Sequence, residues 1–333
     1  MRKLILLFMA FGWIFSTAIF ATQPLTSNDI NQTLSDVYYH YKNNHEGKTA
    51  EYIPELAKVN PNLFGIVVMT VNGKVYSIGN ANIPFAIESI AKPFLYALAL
   101  QDNGENLVTK RVGLNATGHA FNSIESLTES PDHLQNPLVN AGAILVTSLI
   151  KGQDSNDKWE RTLNFFKKLS NDEIFLGTSV YESEMATNQR NQAIAQLLSA
   201  YGMLMGNPED AIARYTKACS IMITAQQLAI MGATLANKGI NPITHEQVIT
   251  PDNVRDVLAE MTINGLYENS GAWWFKIGLP AKSGVGGGIL AVVPGKMAIV
   301  VYSPRVDAVG NSVRAQKVIS ELANRWHLHL LGK

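Results

Sequence analysis

The sequence predicts an α+β fold, an antiparallel sheet covered by terminal helices with a helical subdomain inserted between its strands. Three observations predict it. Strand patterns occur early and late in the chain, an amphipathic helix stands near each end, and helical spacing dominates the stretch between. A chain of 333 residues that is 47% apolar can bury a sizeable core. The predicted organisation is one domain over 22–333, with its sheet part at about 22–85 and 245–333 and its helical part at about 86–244. A cleft is expected between the two parts.

The first residues read as an address. Arg2 and Lys3 precede an uncharged run from Leu4 to Ala21, and polar Thr22, Gln23 and Pro24 follow, the layout of a secretory signal over 1–21. Ile19 stands where a small residue is more usual, so the alternative is a retained anchor. Thr26 to Tyr41 then has helical spacing, with Ile30, Leu34, Val37 and Tyr38 on one side and Ser27, Asn28 and Asp29 offering caps. Gly65 to Thr70 and Lys74 to Ile78 read as two strands joined by Asn72-Gly73, a type I′ hairpin dipeptide. Ser89 to Leu100 is rich in Ala and Leu and reads as a helix. Helical patterns continue at Ala143 to Leu149, Trp159 to Leu169, Asn191 to Tyr201 and Ala225 to Asn237. Gly287 to Pro294 and Lys296 to Tyr302 are β-rich runs joined by Pro294-Gly295, and Asn311 to Leu330 reads as a closing amphipathic helix.

Lys plus Arg and Asp plus Glu both number 27, which leaves no basic excess for a nucleic-acid backbone or an anionic membrane. Removing Arg2 and Lys3 with the signal leaves 25 basic against 27 acidic residues. The expected product is soluble, slightly acidic and exported, periplasmic or secreted. Cys219 is the single cysteine, which excludes an intrachain disulfide, and its apolar helical context reads as a buried inert thiol. The seven histidines show no zinc spacing, and the expected chemistry needs no cofactor.

Ser89-Ile90-Ala91-Lys92 places Ser and Lys three apart at a helix start, on the same side of the first turn. A serine hydroxyl is a weak nucleophile at neutral pH, and a desolvated amine beside it can take its proton. The competing reading is a capping serine followed by a solvated lysine. Pro93 favours the site, because proline fits only near a helix start, where backbone N–H groups are unpaired. Lys282-Ser283-Gly284 opens the late strand run and continues into Val285-Gly286-Gly287-Gly288. Ser-x-x-Lys early and Lys-Ser-Gly late form the signature pair of the penicillin-recognising hydrolases. Glycine there lets a strand edge approach substrate, so that its N–H groups can hold an oxyanion.

With these motifs the chain resembles the β-lactamase-like, serine-dependent glutaminases, in their short bacterial form, from about Tyr52 to Pro304. The resemblance is carried by Tyr52-Ile53-Pro54-Glu55-Leu56-Ala57, Ser89 through Pro93, Asn136-Pro137 with Val139-Asn140-Ala141-Gly142-Ala143, Ser183-Glu184 with Arg190-Asn191, Ala233 through Asn237, and Gly278 through Val285. It implies a β-lactamase and penicillin-binding-protein-like fold, hydrolysis of L-glutamine to L-glutamate and ammonia, and a homo-oligomer, dimer or tetramer. It further implies that Ser89 is the nucleophile and Lys92 its base. Tyr52 and Tyr267 would close over the reacting group, with Tyr267 passing a proton to departing ammonia, and the N–H groups of Ser89 and Val285 would hold the oxyanion. Asn140, Glu184, Asn191 and Tyr215 would grip the amino-acid end, Glu184 facing the ammonium. Each has a plainer reading: the tyrosines as half-buried aromatics, Asn140 as a helix cap, Glu184 as a solvated charge.

Two rivals share part of this pattern. A periplasmic serine β-lactamase or penicillin-binding protein has both serine-lysine motifs and an export signal, but no Ser-Asp-Asn stands between the motifs here. A non-catalytic amino-acid binding protein has no use for a desolvated lysine beside a serine. The export signal is itself a departure from the family, most of whose members are cytosolic or mitochondrial.

Overall fold

The computed structural model describes residues 25–332; the predicted signal segment lies outside the described residues. Thr26 caps the helix Ser27–Tyr41 through a capping box with Asp29, and Ile30, Leu34 and Val37 form its buried stripe. Strands β1 (Gly65–Thr70) and β2 (Val75–Gly79) follow. Their connection differs from the predicted type I′ turn. Only Gly73 of the pair takes a positive φ, 77°, and the Thr70 N–H donates to Lys74 O. The loop is therefore the three-residue kind, with glycine in the left-handed position of a bulge.

Three two-residue or three-residue strands then punctuate the helical part: β3 (Phe85–Ala86), β4 (Phe175–Leu176) and β5 (Ile221–Ile223), paired in the order β3-β5-β4. The sequence reading did not anticipate this second sheet. The main helices among them are Lys92–Asn103, Asn140–Leu149, Ser155–Ser170, Thr178–Thr187, Gln189–Ala200, Pro208–Cys219 and Ala225–Ala236. Helices Pro251–Asn264 and Ser270–Ile277 lead into β6 (Ala281–Ser283), β7 (Gly288–Val293) and β8 (Met297–Tyr302). The last helix, Val313–Arg325, stops short of the predicted Leu330 because His327 turns left-handed at φ 51° and the Leu328 N–H returns to Ala323 O.

The large sheet runs β2-β1-β8-β7-β6, antiparallel throughout. Period-two alternation divides its side chains between two cores. Val67, Met69, Leu290, Val292, Ala298 and Val300 join the large core under helix Ala225–Ala236 and the helical part. Ile66, Val68, Ile289, Ala291, Ile299 and Val301 join a second core under the two terminal helices. Burial on both faces explains why these strands are apolar nearly without interruption. The fold is α+β, as the sequence predicts.

Candidate active site

Ser89 lies in a 3-10 turn, Glu88–Ala91, that runs directly into helix Lys92–Asn103. Residues three apart eclipse in a 3-10 turn, so Ser89 and Lys92 project together. Pro93 stands in the first turn of that helix, where its missing N–H removes no bond. Glu88 carries φ 52° and Tyr267 φ 54°, left-handed conformations uncommon for such residues and of the sort that surrounding structure must hold in place.

Lys92 is fully buried, and its Nζ donates to Asn140 Oδ1 at 2.7 Å and Leu138 O at 3.3 Å. A neutral amine has two hydrogens to give, so these bonds leave its lone pair free to accept a proton. Burial brings the Lys92 pKa down to about 8, against the opposing pull of the nearby acidic groups. Asn140 is more than a cap. Val139 holds the cap position, while the Asn140 side chain also accepts from Tyr215 OH at 3.3 Å and donates to Asn191 Oδ1 at 2.9 Å.

A cavity of 360 Å³ opens over this network and is lined by Tyr52, Ser89, Asn140, Glu184, Asn191, Tyr215 and Val285. The structure therefore brings together seven of the nine residues singled out from the sequence. The other two stand against them. Lys92 lies beneath, bonded to Asn140. Tyr267 faces the Ser89 hydroxyl, donates to Ser283 O at 3.3 Å and lines an adjoining cavity of 190 Å³. Tyr215 and Tyr267 are buried, whereas Tyr52 is 60% exposed. Glu184 is buried on helix Thr178–Thr187, not on a solvated face.

Val285 reaches the cavity on a turn closed by the Gly287 N–H bond to Gly284 O. That turn presses against the segment before Ser89: a Cβ on Gly286 would stand 2.5 Å from Ala86 O. Glycine is what lets Val285 come opposite Ser89. The Val285 N–H has no protein acceptor among the described residues, and Ser89 occupies the first turn of its own helix.

Sequence reasoning missed two residues here. Glu88 lines the cavity beside Glu184, and its signal was an acidic residue stranded in the apolar run from Pro84 to Ala91. Phe121 lines both cavities and packs on Tyr267 with ring centroids 4.5 Å apart; nothing local in the sequence marks it. Burial raises the Glu184 carboxyl to about 7 and lifts Glu88 well above the usual carboxylate range. Cys219 also touches the cavity, but burial and the acidic neighbours push its thiol well up, so it stays protonated.

A lysine in the late Lys-Ser-Gly motif could lower the Lys92 pKa by its positive charge, but the structure gives Lys282 a different setting. It is fully buried, with Nζ donating to Gly265 O at 3.0 Å and Ser283 O at 2.7 Å, and lying 4.1 Å from the centroid of the Tyr267 ring. Burial, reinforced by Lys92, holds its own pKa well below the ordinary value, and Lys92 is lowered by burial itself.

An antiparallel sheet backed by terminal helices, with a Ser-x-x-Lys turn and the Val285 turn that follows a Lys-Ser-Gly strand lining one cavity, defines a hydrolase of the β-lactamase-like class. The family model described as Glutaminase matches residues 47–331. The glutaminase of Colwellia psychrerythraea (strain 34H / ATCC BAA-681) is 45% identical over 90% of this chain and 97% of its own. Among solved structures, the probable glutaminase ybaS superposes with a TM-score of 0.90 at 42% identity, covering 92% of this chain and 99% of that one. A probable glutaminase from Bacillus subtilis complexed with 6-diazo-5-oxo-L-norleucine gives 0.84 at 31%, covering 93% and 100%. The chain belongs to the glutaminase family and is an enzyme that hydrolyses glutamine.

Proposed function

We propose that hydrolysis of L-glutamine to L-glutamate and ammonia proceeds through an acyl-enzyme on Ser89. The observation that carries this reading is the buried Lys92, three residues from Ser89 at the same helix start, whose pKa of about 8 and two donated hydrogen bonds suit a neutral base. Lys92 takes the hydroxyl proton as Ser89 Oγ bonds to the side-chain carbonyl carbon. The N–H groups of Ser89 and Val285 stabilise the oxyanion. The C–N bond then breaks, and Tyr267 relays the proton to the departing nitrogen. Burial keeps the Tyr267 phenol well above its ordinary pKa, which suits a relay that stays protonated and not a base. Water next cleaves the ester, with Lys92 again accepting its proton.

The amino-acid end of glutamine lies on the Asn140, Asn191 and Tyr215 side, with Glu184 against the ammonium and Tyr52 at the exposed wall of the cavity. We also propose that 1–21 is an export signal, so that glutamine is consumed outside the cytoplasm, and that the enzyme works as a dimer or tetramer.

The electrophilic analogue 6-diazo-5-oxo-L-norleucine tests the nucleophile. Incubation should add its mass, less dinitrogen, to the peptide containing Ser89, and Ser89→Ala should neither label nor turn over glutamine. Labelling elsewhere, or an active Ser89→Ala enzyme, rejects the mechanism.

A further inference from the structure

Glu88 has no part in the mechanism above, yet it stands in the same cavity as Glu184. Both carboxyls are buried, 3% and 8% exposed, and they line the same cavity. Glu88 Oε1 and Glu184 Oε1 are each buried without a hydrogen-bond partner among the described residues. Two buried carboxyls side by side repel each other when both are ionised, and burial with that repulsion lifts Glu88 well above the usual carboxylate range even against the pull of Lys92, so the pair holds a proton. Such a pair is a poor structural element and a good receptor for an ammonium group, which brings one positive charge and three N–H donors.

We propose that Glu88 is a second ligand for the α-ammonium of glutamine, and that in the substrate-free enzyme it shares one proton with Glu184, which the arriving ammonium displaces to solvent. The inference rests on the reading of Glu184 as the ammonium partner. The balance is simple: the protonated pair plus zwitterionic glutamine gives a complex with two carboxylates on one ammonium, and one proton leaves to the buffer. The left-handed backbone at Glu88 has a use in this arrangement. It turns that side chain into the cavity while the next residue, Ser89, begins the 3-10 turn.

Other ionisable groups face the pair from the elements packed against it: Lys92 from the following helix, Tyr215 and Cys219 from helix Pro208–Cys219, Tyr267, Tyr52, and Arg190 at the cavity rim. The phenols and the thiol titrate far above neutral pH. Lys92 loses its proton at about 8. Below that range the carboxyl pair is the group left to respond to substrate.

The test is calorimetric titration of L-glutamine into the Ser89→Ala protein, in buffers of different ionisation enthalpy, which counts protons released on binding. At about pH 6.5 release should approach one proton per glutamine, and affinity should rise toward tenfold per pH unit. Glu88→Gln in the same background should abolish most of the release and flatten the pH dependence, because an amide can donate to Glu184 without titrating. Unchanged release and slope in a Glu88→Gln protein that melts normally overturns the inference. In the wild-type enzyme the same device reads as KM falling with rising pH below the range where Lys92 titrates; a flat KM there also overturns it. The glutamine analogue lacking the α-amino group separates the two levels. If it binds as tightly as glutamine, the Glu184 reading fails; if it binds weakly but glutamine still releases no proton, the Glu88 inference alone fails.

Discussion

Lys92 shows how much of a residue's chemistry depends on what surrounds it. A free lysine titrates near 10.4, and a general base works best near the operating pH, so the side chain must be desolvated by burial before it can act. The 3-10 turn and the Leu138–Asn140 segment supply that burial. The base acts when neutral, so kcat/KM should rise as pH passes upward through about 8 and level off above it. Lys92→Arg should lose roughly 10²-fold or more, since a guanidinium stays protonated and cannot accept. Lys282→Ala should leave the rising limb in place, because burial, not Lys282, lowers the Lys92 pKa. A pH–rate profile of each variant decides the point, and a limb moved upward in Lys282→Ala would restore Lys282 as a charge acting on Lys92.

Among the elements, the strands and the helix Ala225–Ala236 depend on one another. This helix lies against β1, β7 and β8, and at Gly232 it comes so close that an added Cβ would strike Leu290 and Ala298. Gly232→Val should therefore destabilise by about 1–3 kcal/mol through overpacking, seen as a lower urea midpoint with unchanged slope. The capping box of Thr224 with Gln227 fixes where the helix begins. Segments such as this helix and β7–β8 are legible in sequence because each is a long apolar run bounded by turn residues. The strands β3, β4 and β5 are not, since two or three residues hold no period; they form because the helices around them bring extended segments side by side. The Asn72-Gly73 hairpin is an intermediate case. The dipeptide marks the turn, but the Thr70 N–H bond to Lys74 O leaves three residues, 71–73, to connect and so selects a different turn type.

For the whole molecule, the export proposal makes a direct prediction: the protein isolated from its native compartment should begin near Thr22, and N-terminal sequencing or intact mass reads it. Intact Met1 in a soluble cytoplasmic fraction rejects export. The first described helix begins at Ser27 with its own cap on Thr26, so its hydrogen bonding does not depend on 1–21. The sequence by itself determined the α+β class, the two terminal helices, the apolar strands and, through the spacing of Ser89 with Lys92 and the glycines after Lys282, the hydrolase motifs. These are local or periodic features, and each leaves its mark within a few residues. Tertiary structure alone decided the rest. Glu88, Glu184 and Cys219 meet because a 3-10 turn, helix Thr178–Thr187 and helix Pro208–Cys219 converge on one cavity. Phe121 reaches Tyr267 from a segment with no pattern of its own. The protonation states of Lys92, Lys282 and the carboxyl pair follow from burial, and burial belongs to the packed chain as a whole, not to any stretch of sequence.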